Sequence, residues 1–294
     1  MIKIKNILIV VIASILIYAC SANNSLVANF DDAGQAIIDN DTLIKYFSNH
    51  YYDVTLDSIK PISTGKTALI ADANLITQDV NYNDIDYKLY YYIVKQGVPN
   101  PVKGNPTVMD SVLTKYEGSQ IITTLTTSVF ETQNSPTWLT SDAVIKGWSY
   151  GLTHFKGGKN VTTNGPITYQ DTGKGYLFIP SGLAYANTST GAIIPNSCLI
   201  FKIELLDLVE NTDHDNDGLA SYLEIVDATV ESDPTQVDSD GDLIANYKDA
   251  DDDNDGVPTK REDANKDGDP RNDFSDPSNP TIPDYLNPNI KVKN

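Results

Sequence analysis

The stretch from Ala143 to Phe155, AVIKGWSYGLTHF, has the pattern of a short helix. Its larger apolar residues recur every three or four positions, as on one face of a helix: Val144, Ile145, Trp148, Leu152 and Phe155. Segments with the composition of strands lie on both sides of it, at Val108–Tyr116, Gly175–Ile179 and Cys198–Leu208. One short helix among several antiparallel strands predicts an α+β domain in which the helix lies across a curved sheet.

The residues before this domain, 35–105, are predicted to form a helical and strand-containing extension. Gln35–Tyr46 has apolar residues at helical spacing, whereas residues 51–56 and 87–94 alternate and are rich in Tyr and Val. Residues 97–106 hold three prolines and two glycines, which predict a turn or linker. The sequence leaves open whether residues 51–95 form a separate domain.

Several motifs occur in a fixed order along residues 144–206. Val144-Ile145-Lys146-Gly147-Trp148 comes first, and Ile179-Pro180-Ser181-Gly182-Leu183-Ala184-Tyr185 follows it. Ile193-Ile194-Pro195 comes next, and the apolar run Leu199–Leu206 closes the series. In their order and gaps these motifs resemble the FKBP-type peptidyl-prolyl cis-trans isomerases, which rotate X–Pro peptide bonds.

The resemblance implies an FKBP-like sheet wrapped on a short helix, with an apolar pocket for a proline-containing polypeptide. Trp148 would form the pocket floor, Tyr185 would offer its hydroxyl to a substrate carbonyl, and the Ile145 amide would bind substrate backbone. No cofactor for catalysis is implied. The pocket residues implied by the resemblance are Tyr116, Phe130, Glu131, Trp138, Val144, Ile145, Trp148, Tyr185, Ile193, Ile194 and Phe201.

The chain departs from the family pattern at several places. Glu131 stands where the family has Asp, and Trp138 is expected to replace an aromatic residue on the flap over the pocket. Residues 118–129 form a longer segment than usual, and residues 160–173 are expected to be an insertion. These departures bear on catalytic efficiency rather than on the fold.

The charge of the chain is concentrated at its C-terminal end. The formal net charge is −19, and residues 211–294 hold 22 of the 40 acidic residues but only 7 of the 21 basic ones. Nucleic acid is therefore excluded as a partner, because phosphate contacts require clustered Lys and Arg. The change in composition predicts a boundary near residue 210, after which an acidic segment of a different structural type begins.

This acidic segment repeats the spacing of a calcium-binding loop, with acids at positions 1, 3, 5 and 12 and Gly at position 6. The copies lie too close together for paired EF-hand helices, and they resemble thrombospondin type 3 repeats. A disordered acidic spacer is the alternative. The predicted ligands of a structural Ca²⁺ are Asp213, Asp215, Asp217 and Glu224; Asp238, Asp240, Asp242 and Asp249; Asp251, Asp253, Asp255 and Glu262; and Asp263, Asn265 and Asp267 of a degraded fourth copy.

The first residues have the pattern of a secretory signal. Lys3 and Lys5 precede an apolar run from Ile7 to Tyr18, and Ala19-Cys20 follows directly. A Cys at this place resembles the lipobox of bacterial lipoproteins, which implies acylation of Cys20 and attachment to a bacterial membrane. An ordinary cleaved signal or an uncleaved anchor remains the alternative.

The predicted organisation is a signal peptide at residues 1–19 and a tether at 20–34, followed by the extension at 35–105. The isomerase domain occupies 106–209, the acidic calcium-binding repeats 210–285, and a short tail 286–294. The function that follows is a lipid-anchored isomerase which assists the folding of exported proteins. A catalytically weak peptide-binding module on a calcium-stiffened lipoprotein is the alternative, and an adhesion stalk is a third.

Overall fold

The computed structural model describes residues 30–226 and 234–291. The predicted signal peptide, Cys20 and most of the predicted tether lie outside these residues, as does the end of the predicted tail. The described residues from Asp32 onward belong to one unit.

This unit holds three α-helices, seven short 3-10 helices and ten strands within the described residues. The α-helices are α1 (Asp32–Ser48), α2 (Lys146–Leu152) and α3 (Ser221–Val226). The strands are β1 (His50–Asp53), β2 (Ser58–Pro61), β3 (Leu75–Tyr82), β4 (Ile85–Lys95), β5 (Ser111–Thr123), β6 (Thr126–Thr140), β7 (Lys159–Asn160), β8 (Tyr169–Gln170), β9 (Gly173–Ile179) and β10 (Leu199–Val209).

The main sheet is antiparallel and has six strands, in the order β3-β4-β9-β10-β5-β6. The strands β1 and β2 form one separate hairpin, and β7 and β8 form another. The predicted α+β class is therefore confirmed.

One face of the sheet packs against α2. Trp148 and Leu152 of the helix lie in one apolar cluster with Leu177 and Ile179 of β9. The helix approaches this strand closely because it carries glycines on the contact side. A Cβ on Gly147 would lie 2.3 Å from the Ile179 side chain, so the glycine leaves room that no other residue would.

The opposite face packs against α1. Phe47 stands edge-on to Phe178 of β9, with ring centroids 4.8 Å apart, and Leu43 joins the same buried cluster with Tyr90 and Ile200. The residues predicted as an extension thus supply two strands of the main sheet and the layer that covers its second face. The predicted helix at residues 35–46 is confirmed as part of α1.

Residues 118–129, which are expected to be longer than usual, form the end of a long hairpin of β5 and β6 that turns between Thr123 and Thr126. This segment is rich in the β-branched residues Ile, Thr and Val, which suit an extended backbone. The expected insertion at residues 160–173 contains the β7–β8 hairpin, which is anchored by Tyr169 donating to Asp207 over 2.8 Å.

A buried carboxylate joins α1 to the loop after β9. Asp39 is fully buried, and its Oδ2 accepts hydrogen bonds from the backbone N–H and the hydroxyl of Ser181 at 2.6 and 2.7 Å. Gln35 donates to the other oxygen at 2.7 Å. The loop that begins at Ser181 is the one that carries Tyr185.

Replacement of Asp39 by Ala is expected to lower the free energy of unfolding by about 2–3 kcal/mol, because two buried donors of Ser181 lose their acceptor. Urea unfolding followed by circular dichroism measures this change. Asp79→Ala is the control, since Asp79 pairs with Lys88 on the surface, and it should cost less than about 0.5 kcal/mol. If the two variants have the same free energy of unfolding, the buried Asp39–Ser181 contact contributes no more to stability than a surface ion pair does.

Candidate functional site

A cleft opens where α2 begins. The residues before the helix are extended, with Ile145 at φ −60° and ψ 144°, and the helix starts when the Trp148 N–H donates to the Ile145 carbonyl at 2.8 Å. This change of direction brings Val144 and Ile145 to the rim and places Trp148 beneath them. The cleft has a volume of about 410 Å³. It is lined by Tyr116, Glu131, Leu139, Ala143, Val144, Ile145, Trp148, Ala184, Tyr185 and Phe201.

The floor of the cleft is the buried indole of Trp148. Tyr116 and Phe201 hold it edge-on from two sides, with ring centroids 5.0 and 5.1 Å from that of the indole. Phe130 in turn packs edge-on against Phe201 at 5.7 Å. Such edge-to-face contacts fix ring orientations, so the floor is held rigidly by side chains from β5, β6 and β10.

Two tyrosine hydroxyls and one carboxylate are among the polar groups that line the cleft. The Tyr116 hydroxyl donates to Glu131 Oε1 at 2.9 Å. Burial, followed by this bond, raises the pKa of Tyr116 to about 12, and burial followed by the Glu131 charge raises the pKa of Tyr185. Both hydroxyls therefore stay protonated at neutral pH, and Tyr185 is available as a hydrogen-bond donor to a ligand.

The structure brings seven of the predicted pocket residues into the lining: Tyr116, Glu131, Val144, Ile145, Trp148, Tyr185 and Phe201. Phe130 and Ile193 lie behind it, in the apolar cluster that also holds Trp148. Ile193 points inward from its turn, whereas Ile194 is exposed and outside the lining.

The expectation for Trp138 is corrected. This side chain is 49% exposed and does not line the cleft. Successive side chains of a strand point to opposite faces. Because Leu139 of β6 lines the cleft, its neighbour Trp138 faces away from it.

Sequence reasoning missed Leu139, Ala143 and Ala184 in the lining, and also a supporting residue, Gln120. The buried Gln120 side chain accepts from the Ile194 N–H at 3.0 Å and donates to the Ala192 carbonyl at 2.7 Å. It therefore fixes the turn that carries the I-I-P motif. The small residues and a lone Gln in a strand gave no distinctive signal in the sequence.

The four acidic copies share one backbone conformation. In each copy the N–H at position 6 donates to Oδ2 of the Asp at position 1, over 2.7–3.1 Å. Position 6 always has positive φ, and it is Gly in three copies and Leu243, at φ 79°, in the second. The side chains at positions 1, 3 and 5 of the first three copies bring one carboxylate oxygen each within 4.8 Å of the others.

Many of these carboxylates are buried without a hydrogen-bond donor. Both side-chain oxygens of Glu224 and of Glu262, the predicted position-12 ligands, lack a partner within the described residues, as does one oxygen each of Asp215, Asp240 and Asp253. Burial, followed by repulsion from neighbouring acids, raises the pKa of Glu224 to about 10 and that of Glu262 to about 9. Converging hard oxygen donors of this kind fit Ca²⁺. Asp273, also buried with an unpartnered oxygen, was missed in the fourth copy.

The acidic segment packs beside the cleft. Met109, which precedes β5, shares an apolar cluster with Ile225 and Tyr247. Asp142, next to the cleft residue Ala143, lies 3.4 Å from His214 Nε2 and 3.2 Å from Lys248 Nζ. His214 holds the pKa of Asp142 well below its usual value despite burial. Two of the acidic loops thus contact the residue that precedes the cleft-lining Ala143.

Comparison with known proteins agrees with this geometry. Residues 103–206 match the model of the family described as FKBP-type peptidyl-prolyl cis-trans isomerase. The chain is 34% identical over 121 residues to the FKBP-type peptidyl-prolyl cis-trans isomerase FkpA of Escherichia coli K12, which is 41% of this chain and 37% of that relative. It is 34% identical over 120 residues to FkpA of Buchnera aphidicola subsp. Schizaphis graminum, 41% of this chain and 40% of that protein. The match therefore spans about two fifths of the length of each of these relatives.

Solved structures superpose on this chain with low TM-scores. The crystal structure of FkpA from Escherichia coli has a TM-score of 0.38 and 22% identity, covering 71% of this chain and 74% of that one. A peptidyl-prolyl cis-trans isomerase from Pseudomonas syringae pv. tomato has a TM-score of 0.35 and 22% identity, covering 48% of this chain and 84% of that one.

Within the described residues, none of the helices has the length and apolar composition needed to cross a bilayer.

Proposed function

We propose that this chain, whose residues 103–206 form an FKBP-type peptidyl-prolyl isomerase domain, accelerates cis–trans rotation of X–Pro bonds in exported polypeptides. The observation that carries the proposal is the cleft itself. Trp148 gives it an apolar floor, Phe201 and Val144 are apolar lining residues, and Tyr185 adds a hydroxyl to the lining.

The physics of the reaction explains why such a cleft suffices. Rotation about a peptide C–N bond loses resonance and meets a barrier of about 18–20 kcal/mol, and uncatalysed X–Pro exchange takes about tens to hundreds of seconds. No covalent bond is broken, so no nucleophile is needed. The twisted amide is less polar than the planar one, and an apolar wall therefore favours it over the ground state.

The residues divide this work between them. Trp148 and Phe201 receive the pyrrolidine ring, and Val144 and Ile145 line the rim on which the substrate backbone lies. Tyr185 donates to the prolyl carbonyl, and a donor placed where it meets the twisted state better than the planar state lowers the barrier. Tyr116 is held by Glu131, so it shapes the floor rather than serving as a second free donor.

The runner-up is a module that holds proline-containing peptides with little turnover. The position of Trp138 favours it, because an aromatic flap over the cleft would exclude water and this side chain faces away. The two functions differ in rate and not in binding, so an activity measurement separates them.

For the acidic segment we propose structural Ca²⁺ at the loop positions 1, 3, 5 and 12. The unpartnered buried oxygens support this, because a buried carboxylate without a partner is costly and a bound cation removes the cost. Asp213, Asp215 and Asp217 hold the ion of the first loop, and the other copies use the corresponding residues.

We further propose export and attachment to a bacterial membrane through acylated Cys20, which the sequence pattern of residues 1–20 supports.

The double variant Trp148→Leu, Tyr185→Phe is expected to lose at least about tenfold in kcat/KM toward a Leu-Pro or Phe-Pro peptide. It loses the apolar floor and one hydrogen bond, which is worth about 0.5–1.5 kcal/mol. A protease-coupled isomerisation assay measures this. Trp138→Leu is the matched control, since it changes the other tryptophan of the chain outside the cleft.

Wild type that binds the peptide but does not accelerate its isomerisation would favour the binding module. Equal rates for wild type and the double variant would remove the assignment of the cleft.

Removal of calcium is expected to expand the acidic segment, because its carboxylates then repel one another without a cation between them. Small-angle scattering of the mature chain with Ca²⁺ and with a chelator measures the radius of gyration. A chelator that leaves this radius unchanged would contradict the calcium proposal, while the isomerase assay would stand on its own.

A further inference from the structure

A cluster of three carboxylates lies between two of the acidic loops rather than within one. Asp217 and Glu224 come from the first loop, Asp252 comes from the third, and one oxygen of each lies within 4.8 Å of the others. Asp252 occupies position 2 of its loop, which is not one of the calcium-ligand positions 1, 3, 5 and 12. The function proposed for the separate loops therefore leaves it without a role.

All three side chains are withdrawn from solvent. Their relative exposures are 0% for Asp217, 3% for Glu224 and 1% for Asp252. Asp217 Oδ2, both oxygens of Glu224 and Asp252 Oδ1 have no hydrogen-bond partner within the described residues. Three buried acids facing one another with free oxygens are costly unless a cation lies among them.

The remaining oxygens are held in place by neighbours. Thr259 donates its hydroxyl to Asp252 Oδ2 at 2.7 Å, and the Leu219 N–H donates to Asp217 Oδ1 at 2.7 Å. Each of these two carboxylates thus has one oxygen bound by the protein and one without a hydrogen-bond partner within the described residues. Support of this kind orients metal ligands and is typical of a built site.

The donor set and its dimensions select the ion. Ca²⁺ binds oxygen at about 2.3–2.6 Å, so two ligands of one ion lie at most about 5 Å apart. The separation of at most 4.8 Å between the oxygens is consistent with this. Several anionic carboxylates in one buried site favour Ca²⁺ over Mg²⁺, which keeps most of its water.

We propose that Asp217, Glu224 and Asp252 bind a further calcium ion, with Asp217 and Glu224 bridging it to the ion of the first loop. This site rests on the calcium-binding function proposed for the acidic segment. It pins the third loop directly onto the first, so that the two fold as one body. It also gives the middle residue of the run Asp251-Asp252-Asp253 a role that loop spacing does not provide.

Crystals of the wild-type chain grown with CaCl₂ test the site without any substitution. Anomalous difference maps are expected to show a peak among Asp217, Glu224 and Asp252, separate from the peaks within the loops. Peaks in the loops without this one would overturn the inference and leave the loop sites intact. An absence of all peaks would overturn both.

Calcium counting in solution provides the second test. Asp252→Asn is expected to bind one calcium equivalent fewer per chain than wild type in equilibrium dialysis at saturating free Ca²⁺. Asp269→Asn is the matched control, because Asp269 also lies in the acidic segment but pairs with Arg271; it should bind as many ions as wild type. An undiminished count for Asp252→Asn would contradict the shared site.

Discussion

Strand β9 is buried on both of its faces, and this burial requires a helical layer on each side of the sheet. Leu177 and Ile179 point into the cluster that contains α2, whereas Tyr176 and Phe178 point into the cluster that contains α1. Side chains alternate along a strand, so the apolar run from Tyr176 to Ile179 must be covered on both faces. Each fully buried Leu, Ile or Phe contributes about 1.5–3 kcal/mol. Neither α1 nor α2 can therefore be removed without exposing one face of β9, and α1 is as necessary to the domain as α2.

The cleft follows from this packing. The helix α2 lies on β9, and its first turn ends beside the open end of the sheet, where Trp148 is held between Tyr116 and Phe201. The start of α2 and the residues just before it are contacted from three directions. The sheet packs beneath it, the buried Asp39–Ser181 contact fixes the loop of Tyr185 beside it, and the acidic loops meet Asp142 behind it. The residues that line the cleft thus adjoin contacts with both the N-terminal layer and the acidic segment.

The sequence predicts what depends on local pattern. The positions of α1, α2, β9 and β10 follow from apolar periodicity, and the ordered motifs identify Trp148 and Tyr185 as neighbours. It does not predict what depends on register between distant segments. Trp138 is the clearest case, since β5 and β6 contain register shifts and a slip of one residue moves every later side chain to the other face. Asp252 and Asp39 were missed because their contacts join segments that lie far apart along the chain, and neither residue type signals such a contact.

Binding of a proline-containing peptide over Trp148 can be measured directly, because the chain has two tryptophans and only one of them lines the cleft. Their indole N–H groups give two separate signals in a ¹⁵N-correlated NMR spectrum, assigned with Trp138→Phe. Titration with a Phe-Pro peptide is expected to shift the Trp148 signal saturably and to leave the Trp138 signal in place. A peptide that moves the Trp138 signal alone, or neither signal at millimolar concentration, would contradict the account.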